Sequence, residues 1–132
     1  MEGAPDAKTD EFLWTVAVAR LILGRDANLQ VPPNLSAKNY LTYLNAGIND
    51  WGGVSPLTID FVNPEAPWPA LTELKNKTEA AGFELKPRLP VYPEYFLNTD
   101  EFLPGPLLQK VTKMADAEGY VQGGMQRYAG KI

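Results

Sequence analysis

The sequence predicts an α/β fold organised around one strand–helix–strand unit. Three observations carry that prediction. Strand candidates at 28–31 and 48–51 are closed by Pro32-Pro33 and Gly52-Gly53, and a helical stretch lies between them. The helical stretches place apolar residues three or four apart and run into glycine. The chain has 132 residues, 45% of them apolar and 21% charged, which suits one domain with a real core rather than two.

Residues 1–8 are small and polar, and are expected to form a flexible leader to a domain over 9–119. Thr9 or Asp10 can cap a helix running to about Leu23, with Gly24 as its stop. Leu13, Val16, Ala17 and Leu21 would form its buried stripe. In 28–31, polar Asn28 and Gln30 alternate with Leu29 and Val31, so one face can meet a polar interior while the other packs on helices. Ser36 is a suitable cap for a helix over 37–46, and Gly47 for its end. Two strands joined by a helix within about 25 residues imply parallel pairing through a right-handed crossover.

From Ser55 to Pro69 the chain reads as loop, stiffened by four prolines. A helix over 70–81 buries Leu71, Leu74 and Thr78, pairs Glu73 with Lys77 on its surface and stops at Gly82. Residues 83–89 alternate strictly, and Pro87 marks them as an edge strand. An aromatic run follows at 91–96. A last helix over about 106–118 would bury Leu107, Val111 and Met114 and stop at Gly119. The tail over 120–132 is polar and rich in glycine.

Composition excludes much chemistry. With no Cys and no His there is no thiolate nucleophile, disulfide, Cys-ligated cluster or imidazole base in this chain. Asp60, Glu65 and Glu94 show no spacing that would pair them as acid and base. A net charge of −4 gives no basic surface for nucleic acid. No stretch approaches the roughly 20 apolar residues of a membrane span. The acidic start is unlike a secretory or transit signal, so a soluble protein of the cytoplasm or an organelle interior is expected.

The segments "VARLILG", "NLQVPPNL", "AGINDWGGVSP", "VNPEAPWP", "AGFELKPRLPVYPEYF" and "DAEGY" together resemble the radical-SAM FO synthase family, specifically its CofG-type half. The likeness covers about residues 12–120. It implies a TIM-type barrel that couples a tyrosine-derived fragment to a ribityl-diaminouracil, giving the deazaflavin chromophore FO. The implied cofactors are SAM and a 4Fe-4S cluster held by a CxxxCxxC loop, which this sequence does not contain. By resemblance the chain is the C-terminal third of such a protein. Its fold is then a partial TIM-type barrel, open rather than closed: the last βαβ unit, flanking helices and a C-terminal extension.

In such barrels functional side chains sit at the C-terminal strand ends and in the loops after them. The resemblance therefore implies pocket candidates at Asn28, Gln30 and Asn34, and at Asn49, Asp50, Trp51 and Ser55. Gly52 and Gly53 would let a ligand approach the backbone. Catalytic and metal-binding residues are expected to be absent, and no cofactor is expected on this chain alone. An open barrel leaves unpaired strand edges, which predicts a protein partner. That partner is either the barrel portion carrying CxxxCxxC or a larger assembly in which this chain is a non-catalytic accessory subunit. A stand-alone enzyme finds no acid–base or nucleophile constellation to support it.

Overall fold

The computed structural model describes residues 7–124 apart from 37, 56 and 100. The leader expected over 1–8 and the tail over 120–132 therefore lie mostly outside the described residues. The chain divides into two units, one up to Phe83 and one from Glu84, where the sequence suggested one domain over 9–119.

The first unit opens with α1, Thr9–Leu23. Asp10 and Glu11 in its first turn and Arg20 in its last complement the helix dipole. Neither Thr9 nor Asp10 caps it. Lys8 occupies the cap position in extended conformation, without a side-chain hydrogen bond. Gly24 ends the helix as expected, its N–H donating to Arg20 O at 3.0 Å. Val16 is buried, whereas Leu21, expected inside, is 82% exposed, and Trp14 and Ile22 are exposed with it. α1 is thus apolar nearly all round, a composition that belongs to helices surrounded by protein.

The helix expected over 37–46 is shorter, with α2 spanning Thr42–Ala46. The chain before it is taken up by a 3₁₀ turn, Pro33–Ser36, and by i→i+3 bonds from Asn39 N–H to Ser36 O and from Thr42 N–H to Asn39 O. Gly47 closes α2 at φ 104°, and Ile48 N–H reaches back five residues to Tyr43 O, the Schellman pattern. α1 packs on α2, with the Phe12 and Tyr43 rings edge to face at 5.3 Å. α3, Leu71–Ala80, buries Leu74 and Thr78 and carries the expected Lys77–Glu73 pair at 2.6 Å. Val16, Val31, Tyr40, Tyr43, Leu44, Ile48, Trp51 and Leu74 form the apolar interior of this unit.

The two strand candidates meet in parallel, but only through an isolated bridge between Gln30 and Asp50. Asn49 N–H donates to Leu29 O at 3.1 Å, and Val31 N–H donates to Asp50 O at 3.2 Å.

The second unit is built on Leu89, Phe96 and Val121, with Val91, Leu103, Leu108, Val111 and Ala115 packed against them. Residues 83–89 are not a regular strand, since only Arg88 is bridged, antiparallel to Tyr120. α4, Gly105–Met114, stops four residues before its expected end. Ala115 turns extended there to bridge Val121, and Gln122 N–H donates to Met114 O. Leu107 and Met114 are therefore exposed, and Val121, read as the start of a polar tail, is core. Asp116 organises the intervening turn by accepting the N–H groups of Glu118 and Tyr120. Among the described residues no helix is long and apolar enough to cross a membrane.

Candidate functional site

The parallel bridge is held from outside by a single cation. Arg20, on the last turn of α1, donates from Nε to Gly47 O at 2.6 Å and from Nη1 to Gly24 O at 2.6 Å and Ala27 O at 2.8 Å. Its Nη2 reaches Asn49 Oδ1 at 3.4 Å. One guanidinium thus ties the end of α1, the chain entering the first strand segment and the glycine entering the second. Gly47 makes the approach possible: a Cβ there would lie 2.6 Å from Arg20 Cγ.

Asn49 completes the staple. Its Oδ1 accepts Leu29 N–H at 2.8 Å, and its Nδ2 donates to Asn28 Oδ1 at 3.2 Å. Both side-chain atoms and the backbone N–H of Asn49 face the neighbouring segment, so the residue acts as a strand-pairing group. Asp50 Oδ1 accepts Gly52 N–H at 2.5 Å, turning the chain out of the bridge. Gly52, at φ 75°, brings its backbone beside Gln30: a Cβ on it would stand 3.4 Å from Gln30 Oε1. Asn28, Gln30, Asn49, Asp50 and Gly52 therefore gather around one polar crossing.

The remaining candidates lie elsewhere. Trp51 is 5% exposed, stacks edge to face on Tyr40 at 5.4 Å and donates from Nε1 to Thr78 Oγ1 at 3.2 Å. It is a core residue rather than a pocket wall. Gly53 is exposed, with nothing near its Cβ position. Ser55 bonds Thr58 through its hydroxyl at 2.7 Å and shapes a turn.

Asn34 is buried, and its Nδ2 donates to Asp60 Oδ2 at 2.9 Å and to Ala66 O at 3.1 Å. Asp60 also accepts Val62 and Asn63 N–H on Oδ1, and Asn63 Nδ2 on Oδ2. The Val62 N–H above all holds the Asp60 carboxyl below its ordinary pKa. Desolvation opposes this, and the bonds from Asn63 and Asn34 add to the lowering. Two buried polar atoms, Asn34 Oδ1 and Tyr40 Oη, have no hydrogen-bond partner among the described residues. Each such group costs about 1–3 kcal/mol when a partner is lost.

Arg20 and Asp60 went unrecognised in the sequence. The signal for Arg20 is its position as a lone cation inside an apolar helical run. For Asp60 it is an Asp placed to accept the N–H groups two and three residues on.

The chain is 53% identical over 118 residues to an FO synthase of Streptomyces coelicolor, covering 89% of this chain and 14% of that protein. It is 48% identical over 122 residues to a 7,8-didemethyl-8-hydroxy-5-deazariboflavin synthase of Methanopyrus kandleri, covering 92% of this chain and 36% of that protein. A synthase of the same name from Methanococcus maripaludis is 47% identical over 113 residues. The chain belongs to the FO synthase family, as a segment of it. It spans about a seventh to a third of the length of these relatives. No family model matches the chain, and no solved structure does.

The cluster implied by resemblance can be tested against the residues present. Thiolates are its ligands, the chain has no Cys, and no group of three or more acidic side chains could hold a metal among the described residues. The cluster does not fit these residues.

Proposed function

We propose that this chain is the C-terminal, pocket-forming segment of an FO synthase. In this reading it contributes a parallel strand pair and its following loops to a TIM-type barrel and catalyses nothing alone. The single observation behind the reading is the identity of about half across 86–92% of the chain, from Streptomyces to Methanopyrus and Methanococcus. The parallel bridge between Gln30 and Asp50, with a helix between the bridged segments, is compatible with two adjacent barrel strands.

The iron–sulfur cluster and SAM then belong to the part of the protein that carries CxxxCxxC. The cluster with SAM would supply radical chemistry there. The part played by this chain's own residues is positional. Arg20 and Asn49 set the register of the two strand segments, and Asp50 with Gly52 aims the following loop. Gln30, at the bridge, is an exposed pocket candidate, as is Asn49.

Affinity capture of the native species, with peptide mass spectrometry and an iron assay, tests this. Peptides carrying CxxxCxxC, in the same polypeptide or a second one, are expected together with iron. An iron-free set of unrelated subunits would instead support an accessory role in another assembly.

A further inference from the structure

The loop over 57–62 is built inside out. Its centre is polar and fully engaged: Asp60 accepts four hydrogen bonds, from Asn34, Val62 and twice from Asn63. Its outside is apolar, with Leu57 72%, Ile59 60%, Phe61 82% and Val62 84% exposed. A loop that only crosses water shows the reverse arrangement, and an exposed contiguous apolar patch marks an interaction surface. The anchoring residue, Asn34, is buried, so the loop is tied to the body of the first unit rather than displayed on a free strand.

We propose that the loop over 57–62 is a docking hook for the remainder of the FO synthase polypeptide, received in an apolar recess there. This rests on the reading that the chain belongs to a longer synthase. Two observations select that occupant over a second copy. Some six-sevenths of the Streptomyces coelicolor relative lies outside the match, so a large covalent neighbour exists in that protein. α1 is also apolar nearly all round, with Trp14, Leu21, Ile22 and Leu23 exposed, so this unit calls for apolar neighbours on more than one element. A partner confined to one patch would leave the other uncovered.

The test uses the Streptomyces coelicolor synthase with its matched residues replaced by those of this chain. A photo-crosslinking phenylalanine analogue is placed at position 61. Crosslinked peptides are expected to come from outside the exchanged residues. Crosslinks to a second copy, or only to peptides within the exchanged residues, would overturn the proposal.

The paired substitution Phe61→Ser and Val62→Ser gives a second readout. It should lower the melting temperature of the exchanged synthase by about 5 °C or more and leave that of the 132-residue chain unchanged. An equal drop in both would place the side chains in the segment's own core and refute docking. Neither readout requires FO formation. A synthase that crosslinks as expected yet makes no FO would count against the functional reading and not against the hook.

Discussion

Replacement of Arg20 by alanine is expected to destabilise the first unit by about 3 kcal/mol, lowering its urea midpoint by about 2 M. The size follows from what the guanidinium satisfies. Three backbone carbonyls, those of Gly24, Ala27 and Gly47, accept from it at 2.6–2.8 Å, and two of these bonds are part-buried. Alanine removes every donor at once and opens a space beside Gly47, where the arginine stem now packs. Lysine carries the charge but not the planar fork, so Arg20→Lys should recover less than half of the loss. Tryptophan fluorescence reports the transition selectively, because Trp14, Trp51 and Trp68 all lie before Glu84. A midpoint unchanged in Arg20→Ala would reduce the residue to a surface cation.

Trp51 gives the second large effect, and it separates a core role from a pocket role. Its ring is buried against Tyr40, and its Nε1–H is bonded to Thr78. Trp51→Ala should therefore cost about 3–5 kcal/mol, as large-to-small changes in cores do. Trp51→Phe keeps most of the contact and loses the hydrogen bond, for about 1 kcal/mol. Were the ring instead an exposed pocket wall, Trp51→Ala would leave the unfolding free energy within about 0.5 kcal/mol of the parent. Equilibrium unfolding of the three proteins decides between these outcomes.

How much of this was legible beforehand depended on whether a feature was local. The ends of α1 and α3 could be read because Gly24 and Gly82 punctuate periodic stretches, and the Glu73–Lys77 pair follows from helix spacing alone. The parallel relation of 28–31 to 48–51 was legible from the intervening helical pattern, although it amounts to one bridge. Features set by distant partners were not legible. α4 ends at Met114 because Ala115 is drawn into a bridge with Val121, a residue that in sequence looks like tail. Leu21 has the spacing of a buried residue, yet it is exposed, and none of the described residues of the first unit buries it.

The site divides along the same line. Asn28, Gln30, Asn49, Asp50 and Gly52 gather at the parallel bridge. Their hydrogen bonds, however, reveal a staple that the residue types alone could not distinguish from a ligand shell. Trp51 and Asn34 were drawn inward by Thr78 and Asp60, partners 27 and 26 residues away. Arg20 was hidden because a charge inside an apolar helix reads as an interruption until its acceptors are known.

The proposed role as a pocket-forming FO synthase segment is tested most directly by segment exchange. The Streptomyces coelicolor synthase would carry this chain's residues across the matched 118 positions, and FO formation would be measured beside iron content. Iron at the parent level with FO formed at a rate within about tenfold of the parent, roughly 1.4 kcal/mol in the barrier, is the expected result. Iron at the parent level with no FO formed would contradict it, because the cluster-bearing part would be intact and this segment would have failed to complete the site.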